Sequence, residues 1–256
     1  MKDLIEDIKE AHRQRTDYMR MENQTILRMR AICRRNCSHA GMELAEVKTE
    51  ADKLYDSMEE GQTEEAIQMA LYLALHIETR DRFHKLRMEA EGRMKKLSVK
   101  LQVYPWVQSV MGFGELGLAQ IVAEAGNLEN YANPAKLWKR FGLAPYNGHA
   151  PSSWRMGRCG KLTAKEWEDA GYSPRRRSIM FVIGDSLIKK QGFYRNLYLW
   201  RKQREKEKTP DQPKMAHHRR AQRYVEKRLL RNLWQAWVGQ EIINDDLSML
   251  SVEEAA

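Results

Sequence analysis

From the first residue onward, neutral and apolar side chains return every three or four positions. Ile5, Ile8, His12, Met19, Ile26, Met29 and Cys33 fall on one stripe, and the opposite face carries Lys, Arg, Asp and Glu. That period predicts one long amphipathic helix from Met1 to about Cys37. Arg15 and Glu22 interrupt the stripe. Polar residues in a helical seam lower stability and fix register, so coiled-coil pairing is expected, with the next helix or with another copy of the chain. Asn36, Ser38 and Gly41 break the pattern; Met42 to Glu59 resumes it and ends at Gly61. A cap at Thr63 opens another helix through Ile67, Leu71, Leu75 and Ile77, continuing with rising charge past Phe83, Met88 and Leu97 until Tyr104-Pro105 stops it.

The stretch Val107 to Pro145 changes character. Val110-Met111-Gly112-Phe113-Gly114 leads into Glu115-Leu116-Gly117-Leu118-Ala119 and a new apolar period at Ile121 and Val122. A Gly-x-Gly turn between apolar runs predicts two short helices joined by a tight hairpin. Amides that open a helix point outward with the positive end of its dipole behind them, so the turn is a candidate grip on a phosphate. The same residues also suit an ordinary packing corner.

Further on, Asn147 to Lys161 is rich in turn formers, with Ser152, Ser153 and Trp154 among Arg155, Arg158 and Lys161, and it reads as a loop. Ser173-Pro174 starts a helix with Arg175, Arg176 and Arg177 in its first turn, where the dipole disfavours cations, so those arginines are expected to serve a partner. Its buried face is read as Ile179, Met180, Val182, Ile183, Leu187 and Ile188, with Gly192 ending it. Phe193 to Lys208 is another helix, Thr209 to Pro213 a linker, and Lys214 to Ile243 a last helix opening on His217, His218, Arg219, Arg220 and Arg223. The expected fold is mainly α. A helical arm spans 1–104, a helix-hairpin-helix domain 105–243, and an acidic, frayed tail 244–256.

The 256 residues carry a net charge of +9, with 31% charged and 42% hydrophobic. The mean hydropathy is −0.71. The basic excess gathers between Ser152 and Arg231, interleaved with Tyr, Trp and Phe, which points to nucleic acid. Lys136, Lys139 and Arg140 add to it just after the hairpin. No run is long and apolar enough for a membrane span, and no leader is evident, so a cytoplasmic, nucleoid-associated protein is expected. Cys33 and Cys37 stand one turn apart with His39 nearby. Two ligands on one helix without a second pair read as a helix face rather than a metal site, so no metal ligand is assigned.

The elements Val110-x-Gly112-x-Gly114, Ala123-Glu124-x-Gly126, Asn133-Pro134-x-Lys136-Leu137 and Phe141-Gly142-Leu143-x-Pro145 together resemble the C-terminal domain of the insertion-sequence 110/116/902 transposase family, relatives of the Piv-type invertases. His218, Ala221, Val225, Leu229 and Leu233 resemble that domain's closing helix. The resemblance covers roughly Tyr104 to Trp237 and implies DNA binding through Gly112, Phe113, Gly114, Leu116 and Gly117 and the basic residues named above. It also implies a serine nucleophile after the Gly-Leu-x-Pro step: Ser153 first, Ser152 second. Family members join this domain to an RNase H-like half whose acidic residues hold the metal. No such half is evident here, so magnesium is expected only if a partner supplies those carboxylates. The expected function is that of a transposase-like DNA-binding protein of a mobile element, reduced or accessory and without independent catalysis, and dimeric through its arm. An active serine transposase or invertase is one alternative. A structural or RNA-binding protein is another, since the resemblance brings a structured guide RNA with it.

Overall fold

The computed structural model describes residues 1–38, 42–61, 63–145, 163–169 and 171–242. The protein is mainly α. In order come α1 (Lys2–Cys37), α2 (Leu44–Glu60), α3 (Glu64–Tyr72), α4 (Ala74–Ser98), α5 (Tyr104–Gln108), α6 (Glu115–Ala125), a 3₁₀ turn (Leu128–Asn130), α7 (Pro134–Arg140), α8 (Ala164–Asp169), α9 (Pro174–Lys189), α10 (Phe193–Lys208) and α11 (Lys214–Trp237). Among the described residues no helix is long and apolar enough to cross a membrane. The chain divides into two compact units, Glu10–Arg93 and Met1–Lys9 with Met94–Ala256.

Local chemistry sets the helix limits of the Glu10–Arg93 unit. Gly61 closes α2 at φ 62°, a left-handed conformation that glycine adopts without steric cost, and Thr63 accepts from the Ala66 amide to open α3. The core joins Met29, Cys33 and Cys37 to Ala51, Leu54, Tyr55, Ala66, Met69 and Leu73. Both cysteines are packing residues here, and burial pushes both thiols up. The two polar interruptions of the first stripe find partners within the chain. Arg15 Nε lies 2.8 Å from Glu91 Oε1, and Glu22 takes Arg87 Nε at 2.6 Å and contacts His84 Nδ1 at 2.9 Å. Burial works against the Glu22 charge, but the hydrogen bonds from Arg87 and His84 hold its carboxyl below the ordinary value.

One helix expected after Thr63 is two, because the chain breaks at Leu73 between α3 and α4. Leu73 is fully buried, and α4 stops at Ser98, ahead of Tyr104.

In the larger unit, α9, α10 and α11 bury Met180, Leu187, Leu197, Val225, Leu229, Leu230 and Leu233. From the hairpin side come Leu118, Ile121, Val122, Leu137 and Phe141, all buried. Three indoles fasten that side to α11. Trp138 Nε1 donates to the Lys227 carbonyl at 3.0 Å, Trp234 Nε1 to the Tyr131 carbonyl at 2.9 Å, and Trp237 Nε1 to Asn127 Oδ1 at 2.9 Å. Ser173 caps α9 ahead of Pro174, as its sequence predicts. Two expectations change: Val182 is 65% exposed, with Gly184 buried on α9, and α11 ends at Trp237 before Gly239 at φ 70°.

Candidate nucleic-acid interface

The glycine turn joins α5 to α6, and its glycines do different jobs. Gly112 sits at φ 85°, and a Cβ there would lie 2.7 Å from the Ser186 carbonyl oxygen and 3.0 Å from Leu187 Cα. The space beside its bare backbone is therefore filled by α9 of the same chain. A Cβ on Gly117 would meet the Phe113 ring at 3.0 Å and Ile183 at 3.6 Å. Phe113 itself is buried, its ring tilted against Trp106 at 6.4 Å. Gly114 differs: it is exposed and extended at φ −125° and ψ −171°, and a Cβ added there would meet nothing within 4 Å.

The first intrahelical bond of α6 runs from the Leu118 amide to the Gly114 carbonyl at 3.0 Å, which leaves the amides of Glu115, Leu116 and Gly117 ahead of it. Leu116 and Gly117 are half-exposed. A carboxylate already stands at this opening. Glu115 accepts the Tyr104 hydroxyl at 2.7 Å, and that bond, followed by one from its own amide, holds its carboxyl below the ordinary value. An incoming phosphate would compete with it.

The arginines that open α9 have carboxylates at hand. Arg175 Nη2 and Arg176 Nε each lie 3.0 Å from a Glu124 carboxylate oxygen, near the C-terminus of α6. Arg140 closes on the same residue from α7, donating from Nε at 3.0 Å and Nη2 at 2.8 Å to the Glu124 carbonyl. The Glu124 carboxylate thus offsets the cations that the α9 dipole disfavours.

Arg177 Nη1 lies 2.8 Å from Glu226 Oε2. Glu226 is 0% exposed, and burial pushes its carboxyl up to about 7, against the opposing influence of Arg177 and Arg223. The carboxylate fits because α9 has a glycine beside it: a Cβ on Gly184 would lie 2.7 Å from Glu226 Oε1. Sequence reading missed this pair. Its signal was present as a glycine inside one helix and an acid next to Val225 on the apolar stripe of another.

Lys136, Lys139 and Arg140 line one groove of about 460 Å³ with Asn130, Tyr131, Ala132 and Gly171. Lys136 and Lys139 are exposed and lie within ion-pair distance of no carboxylate among the described residues. On α11, Arg219 is exposed, Arg223 is half-buried, and Arg220 Nη1 approaches Glu205 Oε2 at 3.5 Å and Thr209 Oγ1 at 3.2 Å. Aromatic rings seat other cations, with Arg201 over Tyr224 at 4.8 Å and Arg204 over Trp200 at 5.1 Å. Ser152, Ser153, Arg155, Arg158 and Lys161, like His39 and the tail from Asn244, lie outside the described residues.

Charge is divided unevenly between the units. Residues 10–93 hold 14 Lys and Arg against 16 Asp and Glu, so the whole +9 excess belongs to the rest of the chain. Among the described residues no group of His, Cys, Asp and Glu could hold a metal ion. No protein-family model, curated protein or solved structure matches the chain.

Proposed function

We propose that the chain is a transposase-like DNA-binding protein, reduced or accessory in form, that holds the sugar-phosphate backbone on the cationic surface of its larger unit. The observation that carries this reading is the segregation of charge: residues 10–93 are slightly acidic in balance, and the cations concentrate elsewhere. The groove of Lys136, Lys139 and Arg140 supports it, because exposed lysines without carboxylate partners suit phosphates, which fix position without reading bases. Gly114 is the hairpin's contribution, an open backbone position beside the first amides of α6. Exposed Leu27, Leu71, Tyr72 and Leu75 in the Glu10–Arg93 unit support self-association through the arm.

The test is fluorescence anisotropy with a labelled DNA duplex and a labelled structured RNA at low salt. Lys136→Glu combined with Lys139→Glu should weaken duplex binding at least about tenfold, since two phosphate contacts become repulsions. Unchanged affinity would remove the groove from the interface, and preference for the RNA would turn the reading to the RNA-binding alternative.

A further inference from the structure

Away from the α7 groove, α10 and α11 bring together cations with little to neutralise them. Tyr198 and Lys202 stand one turn apart on α10, and Lys202 Nζ sits 5.6 Å from the centre of the Tyr198 ring. Across from them, the Tyr198 hydroxyl meets His218 Nδ1 at 2.7 Å, with the two rings edge to face at 5.6 Å. Arg219 follows on α11 and is exposed. The charged groups that face the imidazole are Lys202 from α10, Asp185 from α9 and Arg219 from its own helix. Asp185 is already engaged, its carboxylate 2.6 Å from Lys189 Nζ. Burial first, then Lys202 and Arg219 against the opposing Asp185, hold His218 below its ordinary pKa.

A tyrosine hydroxyl can donate to a neutral imidazole nitrogen or accept from a protonated one. The Tyr198 bond therefore survives protonation of Nδ1; with the hydroxyl donating to Nδ1 the neutral ring carries its proton on Nε2, and the protonated ring can donate from Nε2 as well. Nε2 has no protein partner among the described residues. Lys202 and His218 meet at the Tyr198 side chain and Arg219 follows on α11, so an ammonium, an imidazole and a guanidinium lie in one neighbourhood. A tetrahedral oxyanion with several acceptor oxygens matches such a set, and its charge would relieve the repulsion among the three.

We infer that Lys202, His218 and Arg219 form a binding site for a phosphoryl group, with Tyr198 orienting the imidazole toward it. The inference rests on the polyanion reading above for its source of phosphate, while the site itself stands on the geometry of α10 and α11. Binding takes up a proton at His218, so the anion is held more tightly as pH falls through the histidine range.

The measurement is the His218 titration midpoint, followed by NMR of the imidazole protons in the full chain. Inorganic phosphate should raise the midpoint by about one pH unit over chloride at equal ionic strength, a tenfold gain in proton affinity. Lys202→Gln with Arg219→Gln, at a half-buried and an exposed position, should abolish that difference while leaving the helical circular dichroism unchanged. Equal midpoints in the two salts overturn the site. Where inorganic phosphate moves the midpoint, movement with an unphosphorylated duplex as well identifies a backbone diester as the source, and movement confined to inorganic phosphate and a 5′-phosphorylated strand identifies a monoester; either sustains it. If the midpoint ignores phosphate while DNA still binds, this inference alone falls. If phosphate moves it while no nucleic acid binds, the site stands and the broader reading falls.

Discussion

Gly112→Ala should cost the larger unit about 2–5 kcal/mol, combining roughly 1–2 kcal/mol for a side chain in left-handed backbone with about 1–3 kcal/mol for overpacking. The neighbour is main chain, the Ser186 carbonyl oxygen 2.7 Å from the added Cβ, so no rotamer change relieves the contact. Either α9 or the turn must shift, and both carry buried side chains. Calorimetry should show the transition falling by roughly 4–20 °C, given about 2–4 °C per kcal/mol for a chain of this size. Gly114→Val is the control. Its φ of −125° suits any residue and a Cβ meets nothing within 4 Å, so it should cost only about 1 kcal/mol as a poorer N-cap. Equal stability losses in the two variants would contradict the separation of a packing glycine from an open one.

The second large effect concerns Glu226. Arg177→Met removes the cation beside a fully buried carboxyl group, and breaking such a pair costs about 3–5 kcal/mol once the carboxyl is ionised. The cost should depend on pH. The unfolded carboxyl releases its proton near 4.5, the folded one near 7. Between those values the unfolded state is the more ionised, so the contribution of Glu226 is present in full below 4.5 and is lost as pH rises through 7. That loss amounts to about 3 kcal/mol, from 1.36 kcal/mol for each unit of pKa difference. Arg177→Met should accordingly be mild at about pH 5 and grow by about 1.4 kcal/mol for each pH unit above 7, becoming severe at about pH 9. Adding Glu226→Gln to it should recover most of the loss at the higher pH, because no buried charge is then left alone. Denaturant melts at the two pH values read this directly; a loss independent of pH would show that Glu226 is ionised throughout.

What could be read from the sequence was local. Helix limits were legible wherever a cap or a breaker stood in the chain, as at Thr63, at Ser173-Pro174 and between Thr209 and Pro213. The break at Leu73 was not, since neither glycine nor proline marks it and burial of the leucine accompanies it. The arginines that open α9 show the same limit. The helix dipole disfavours cations in that first turn, but a carboxylate that offsets two of them, on Glu124, stands some fifty residues earlier and is brought near only by the packing of α6 on α9. At Gly112 the need for a close neighbour was readable, and the neighbour turned out to be another helix. Glu226 was hidden because a single acid on an apolar stripe reads as a surface residue until the notch at Gly184 is seen.

The central claim, that cations outside residues 10–93 hold a nucleic-acid backbone, is tested most directly by the salt dependence of duplex affinity. With several phosphates neutralised, log K against log salt should fall with a slope steeper than about −3, each contact contributing about −0.9. Lys136→Glu with Lys139→Glu should flatten that slope by about 2. An affinity that ignores salt, or no binding to any duplex or RNA at low salt, would contradict it.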